Sequence, residues 1–232
     1  MSDGTNQGAA RRAVLFELES VAFQGRAVVY KVLKHMLAEK GVDLSVTQFA
    51  KHCLNAPLQI LPARLARCLE QPALKEEAFA SKTVSEIEKA LIDEALVADT
   101  GLVPLIQAAE EQRMAVGFLS GLTADTARKM VDKLGVDSTD MVLHARSEEA
   151  RHEVGVDGWL KLAKLMGVTA AGCLAFASSS AACKSALAAG MSCVAVPDQY
   201  TGFQDFGGAD MVYESLSSVD LDEVYSLSKA SL

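Results

Sequence analysis

The stretch that decides the fold is Ala13-Val14-Leu15-Phe16-Glu17-Leu18-Glu19-Ser20-Val21. From Ala13 to Leu18 it is an apolar run interrupted only by Glu17, and an acid and a hydroxyl follow at once. Runs of about six apolar residues suit strands covered on both faces, as in a parallel sheet. Three more lie downstream: Met114 to Leu119, Gly172 to Ala177, and Met191 to Val196, the last closed by Pro197. Met141 to Leu143 is a candidate for a short additional strand. Helical patterns fill the spaces between them, at Thr123 to Leu134, Asp157 to Met166 and Ser180 to Ala189, stopped by Gly135, Gly167 and Gly190. Glycine ends helices in this way because it accepts the left-handed conformation that a C-terminal cap requires. Strand and helix alternating along the chain predict an α/β fold, a three-layer Rossmann-like core around a parallel sheet.

Between the first two strands the alternation stops. From Arg26 to about Ala98 the apolar spacing is helical, as at Val28, Val32, Leu33, Met36 and Leu37, and again at Val84, Ile87, Leu91 and Ile92. Pro57 and Pro72 punctuate it. Some seventy residues exceed any ordinary connecting loop, so the expectation is an all-helical subdomain inserted after strand one.

Composition narrows the partners. Of 232 residues 50% are hydrophobic, enough for a sizeable core. Lys and Arg number 22 against 30 Asp and Glu, a net charge of −8. That balance argues against nucleic acid, whose phosphates call for a surplus of cations on one face. Five cysteines with no C-x-x-C pair suit reduced thiols and a cytoplasmic location. Residues 1–10 are polar and read as a flexible start rather than a signal peptide. Leu165 to Cys183 carries no charge, but Gly167, Thr169, Gly172 and Ser178 to Ser180 lower its mean hydropathy, so it reads as a buried strand and a small-residue helix, not a membrane span.

Ligands of open α/β sheets bind beyond the carboxyl ends of the strands. The residues there are Glu17, Glu19 and Ser20 after strand one, Ser120 and Gly121 after strand two, and Ala177 and Ser178 after strand three. Ser120 by itself suits a helix cap or turn, and Ser178-Ser179-Ser180 suit the cap of the helix that follows. His35 and His52 read as surface groups without carboxylate partners, and Trp159 as a core contact.

In order and spacing these residues resemble the haloacid dehalogenase-like hydrolase superfamily. Phe16-Glu17-Leu18-Glu19-Ser20-Val21 is similar to its first motif, usually F-D-L-D-G-V/T, and Gly117-Phe118-Leu119-Ser120 to its second. Asp157 to Val168 resembles the helix after the motif-three lysine. Val194 to Pro197 and Gln204 to Asp210 resemble the final strand and tail. The phosphoglycolate phosphatase and β-phosphoglucomutase type, with an α-helical cap, is the nearest in kind. The resemblance implies a core of residues 11–22 and 99–232 with a cap at 23–98.

It also implies roles that most of these positions do not meet. The family's nucleophilic Asp, which forms an aspartyl-phosphate, is Glu17 here, and its general acid/base is Glu19. Ser120 matches. The motif-three lysine position, four before Asp157, holds Glu153, and the acidic pair that anchors Mg²⁺ is replaced by Ala177 and Ser178. The expectation is a catalytically degenerate member of the family that has lost its Mg²⁺ cofactor and serves as a binding or interaction protein. Its partners would be a small metabolite in the cleft, a protein, or a second copy of the chain. The alternative is an active phosphatase on small phosphorylated metabolites with a rearranged site.

Overall fold

β1 (Ala13–Glu17) is buried at all five positions, the pattern of a strand with neighbours on both sides and layers on both faces. In the computed structural model, which describes residues 12–54, 56–93, 96, 98–138, 140–145 and 155–230, the chain leaves β1 through one wide turn of π-type helix, Leu18–Ala22. The strand therefore ends one residue before the apolar run does.

The chain then enters the helices α1 (Gly25–Ala38), α2 (Val46–His52), α3 (Leu61–Cys68) and α4 (Glu77–Ile92). Ser45 caps α2 with a reciprocal capping box, its side chain accepting from the Gln48 N–H while the Gln48 side chain accepts from the Ser45 N–H. Pro62 sits in the first turn of α3, where its missing N–H costs nothing. Among the described residues of this region there is no strand. Its root is an isolated antiparallel bridge between Phe23 and Ala98, where the Asp99 N–H donates to the Ala22 carbonyl at 2.8 Å.

Beyond that bridge the alternation resumes with α5 (Leu102–Glu111), β2 (Ala115–Ser120), α6 (Ala124–Asp132), β3 (Val142–Ala145), α7 (Val156–Leu165), β4 (Cys173–Ala177), α8 (Ser180–Ala188), β5 (Ser192–Ala195), β6 (Met211–Val212) and α9 (Leu221–Ala230). The sheet order is β3-β2-β1-β4-β5-β6 and every pairing is parallel. The sequence run at Met141 to Leu143 became β3, shifted by one residue at its start. The two-residue β6 has no counterpart in the sequence reading.

Alternation along β1 assigns its two faces. Val14 and Phe16 belong to a core shared with α5, α6, α9 and the helical insert, whereas Ala13 and Leu15 belong to a core with α7 and α8. Phe16 lies in register with Phe118 on one side and Phe176 on the other, at centroid distances of 5.9 and 4.9 Å. Burying each such ring contributes about 1.5–3 kcal/mol, so this row fixes the central three strands. Trp159 of α7 is fully buried in the second core. Leu165 to Cys183 is divided among the end of α7, a 3₁₀ turn at Ala170–Gly172, β4 and the start of α8. No helix among the described residues is long and apolar enough to cross a membrane. Residues 1–10 lie outside the described residues.

Candidate functional site

The strand order places β1 between β2 and β4, with the chain crossing from one side of the sheet to the other after β3. This is the switch point, and a crevice opens there beyond the carboxyl ends of the strands. Glu17 ends β1, Ser120 ends β2, and Ala177 ends β4 with Ser178 next. Parallel register therefore brings to one spot residues that lie up to 161 positions apart in sequence.

Glu17 is buried, with 5% of its surface exposed. Its Oε2 accepts from the Ser178 backbone N–H at 2.7 Å and from the Ser178 hydroxyl at 2.6 Å. The Ser20 and Ser178 hydroxyl oxygens are 2.9 Å apart. A hydroxyl has one proton, so with Ser178 donating to the carboxylate, Ser20 donates to Ser178. The chain Ser20–Ser178–Glu17 turns the carboxylate toward β4.

Glu19 stands on the π-type turn. Its Oε1 accepts from the Gly121 N–H at 2.6 Å, which joins the end of β1 to the end of β2. Burial pushes its pKa from 4.5 up to about 7; bonds from backbone N–H groups and the Ser120 hydroxyl pull it down, and the charge on Glu17 adds to the rise. A carboxyl with that pKa is shared between acid and base forms near neutral pH. Ser120 is a turn residue, its Oγ accepting from the Leu122 N–H at 3.1 Å. The cap of α6 is Thr123 instead. Gly25 makes the tight turn into α1 fit: a Cβ there would stand 2.4 Å from the Glu19 carbonyl oxygen.

Above these acids lies a narrow cleft, with a cavity volume of about 70 Å³, between the sheet and the helical insert. The core contributes Glu17, Glu19, Ser20 and Leu122, and the insert a wall of Val29, Phe49, Cys53, Leu58, Leu61 and Leu91. Among the described lining residues Arg26 is the single cation, and its Nη1 is 2.9 Å from Asp198 Oδ2. The cleft thus combines apolar walls, an acidic floor and a guanidinium already paired.

Of the residues singled out in the sequence, Glu17, Glu19 and Ser178 meet at this spot, and Ser120 adjoins Glu19. Ala177 and Ser178 bring no carboxylate to it. Glu153 lies outside the described residues. His144, near the end of β3, is half-buried, and burial followed by the charge of Lys161 lowers its pKa. Ser179, rather than Ser178, caps α8 by accepting from the Ala182 N–H at 3.2 Å. His35 does have a carboxylate neighbour: its Nε2 is 3.5 Å from Glu39 Oε1, one helical turn on. The sequence reading missed Arg26, Phe49 and Cys53 as cleft residues, and Asp198 as the partner of Arg26. Their only signal was position, Arg26 at the start of the insert and Asp198 just after the strand-closing Pro197.

A parallel sheet in this order, carrying its acids at the end of the central strand and a helical excursion directly after them, is the architecture of the haloacid dehalogenase-like superfamily, whose phosphatases and mutases the chain resembles in sequence and fold. YhcW of Bacillus subtilis (strain 168), named provisionally as a phosphatase, is 25% identical over 217 residues, covering 90% of this chain and 94% of that protein. The protein CbbY of Rhodobacter capsulatus is 32% identical over 125 residues, which is 51% of this chain and 55% of that one. Among solved structures, CbbY from Rhodobacter sphaeroides in complex with phosphate superposes with a TM-score of 0.76 at 17% identity, over 90% of this chain and 96% of that one. β-Phosphoglucomutase from Clostridium difficile gives 0.77 at 16% identity, over 95% and 98%. No family model matches the chain.

Proposed function

We propose that this chain keeps the hydrolase fold without Mg²⁺-dependent aspartyl-phosphate chemistry and acts as a binding or interaction protein through the cleft. The observation that carries this reading is the use of Glu17. Its carboxylate is buried and held by two donors of Ser178, at the position where the resemblance called for a metal-anchoring acid. Mg²⁺ takes an octahedral oxygen shell anchored by carboxylates. Among the described residues no group of three His, Cys, Asp or Glu side chains is placed to hold a metal ion. The donors present do not suit that ion, and no catalytic step is derived through it.

Charge points the same way. Phosphoryl transfer depends on positive groups that offset the charge of the transferring group. Here the described floor offers Glu17 and Glu19, and Arg26 is engaged by Asp198. Residues 23–98 act in this reading as a cap over a core of 11–22 and 99–232, enclosing a small metabolite in a cytoplasmic protein. A protein partner or a second copy would instead use the outer surface of the insert.

The test is turnover of p-nitrophenyl phosphate and of a panel of sugar and glycolate phosphates, with and without Mg²⁺. The expected result is no metal-dependent turnover above that of a Glu17→Gln control. A second reading, an active phosphatase in which Glu19 activates water, draws on its pKa of about 7. Metal-dependent release of phosphate that is lost in Glu19→Gln would establish that second reading and end the first.

A further inference from the structure

The turn that follows β5 reaches across from the core to the insert at two separate points. Asp198 Oδ2 pairs with Arg26 Nη1 at the start of α1, and the two side chains are 29% and 13% exposed. Two residues on, Tyr200 is 5% exposed, with its ring against two insert aromatics: 5.7 Å from Tyr30 of α1 and 5.0 Å from Phe49 of α2. Tyr30 and Phe49 are themselves 5.2 Å apart, which completes a cluster of three rings drawn from both parts of the molecule. Aromatic pairs at such separations stabilise beyond their buried area.

The turn is built to hold this position. Asp198 Oδ1 accepts from the Tyr200 N–H at 2.8 Å and lies 3.1 Å from Thr201 Oγ1. The Gly202 N–H donates to the Asp198 carbonyl at 2.8 Å, and Thr201 is fully buried. One carboxylate therefore organises the turn with one oxygen and grips the insert with the other. Both insert residues that the turn meets, Arg26 through Asp198 and Phe49 through Tyr200, line the cleft.

We propose that the Asp198–Gly202 turn is a clasp that holds the helical insert closed over the cleft, so that entry to the cleft requires its release. Arg26–Asp198 secures the root of α1, and Tyr200 secures the wall formed by α1 and α2. Opening separates the ion pair and withdraws Tyr200 from Tyr30 and Phe49. The Phe23–Ala98 bridge, where both crossing chains meet, serves as the pivot. The opening rate thus resides in a loop outside the acidic floor.

Cys53 provides the readout because it lines the cleft and is 5% exposed. The full-length protein is treated with N-ethylmaleimide and each thiol is followed by peptide mass spectrometry. The partly exposed Cys68 of α3 serves as the reference for reagent reactivity, and the buried Cys173 and Cys193 of the sheet as the reference for unfolding. Asp198→Asn and Tyr200→Leu are each expected to speed Cys53 labelling about tenfold, the effect of losing one charge-assisted or well-packed contact. Cys173 and Cys193 should keep their wild-type rates, and Arg26→Lys, which retains the charge, should leave Cys53 slow. Unchanged Cys53 labelling in both loosening variants overturns the clasp. So does equal acceleration at Cys53, Cys173 and Cys193, which reads loss of the whole fold; Asp198→Asn, which removes no core volume, guards against that outcome arising from Tyr200→Leu alone.

Discussion

Replacing Glu17 by Asp would restore the nucleophile type that the superfamily uses, and it isolates one cause of the proposed loss of activity. Asp is shorter by one C–C bond, about 1.5 Å. The two bonds that Glu17 Oε2 accepts from Ser178, at 2.7 and 2.6 Å, would open to roughly 4 Å, beyond hydrogen-bonding range. Ser178 is fully buried, so its N–H would lose its partner without gaining water. Bonds to a charged acceptor contribute about 1.5–3 kcal/mol each. With part of that recovered by a small shift of the strand end, a net loss of about 2 kcal/mol is expected. In a protein of this size that corresponds to a fall in Tm of roughly 4–8 °C by calorimetry. Turnover should not appear, because Asp in place of Glu17 adds no cation to the described floor. The assay is phosphate release by Glu17→Asp against wild type, with Mg²⁺ and the same panel of phosphate esters. Clear metal-dependent turnover in that single variant would show the remaining site to be competent and would refute the argument from charge. A Tm equal to wild type would refute the argument from hydrogen bonding.

Glu19→Gln tests the raised pKa: because the folded value of about 7 lies above the ordinary 4.5, the folded state binds the proton more tightly, and stability contributed by the acid form is lost as pH rises between those values. Urea denaturation should therefore show Glu19→Gln gaining stability relative to wild type at pH 8 compared with pH 5, and a constant difference would contradict this. In Glu17→Gln, carboxyl NMR should find the Glu19 pKa lowered, since one of the charges raising it is gone. Gly25→Ala forces a Cβ against the Glu19 carbonyl oxygen and should lower the urea midpoint by the equivalent of about 1–3 kcal/mol. Tyr225→Phe removes a buried hydroxyl that donates to the Leu105 carbonyl at 2.6 Å, and should cost about 1 kcal/mol in the same measurement.

The central strands were readable because burial on both faces writes itself as an unbroken apolar run, as in Ala13 to Leu18 and Gly172 to Ala177. The exit from β1 was not, because Leu18 continues the apolar run while belonging to a helical turn. β6 escaped for a related reason: two residues, one of them exposed, carry no period. Glu17, Glu19, Ser120 and Ser178 could be listed from the strand ends, and parallel register does bring them to one edge. What no local pattern contained was their bonding: that Ser178 would bind Glu17 across 161 positions, or that Asp198 would bind Arg26 across 172. Those pairings depend on how separate elements come to lie together, and a single sequence records only each partner alone.

The lengths of the outermost strands bear on how the protein behaves at high concentration. A sheet margin is a row of unpaired backbone donors and acceptors, open to addition of a strand from another molecule. At one margin β6 extends for two residues, about 7 Å of ladder at the usual rise per residue. At the other, β3 extends for four among the described residues. The longer strands, β1, β2 and β4, have both of their sides occupied within the chain. Among the described residues, molecules that meet margin to margin therefore find only a few bonds to form before the ladder runs out, which limits strand addition even though half of the residues in the chain are hydrophobic.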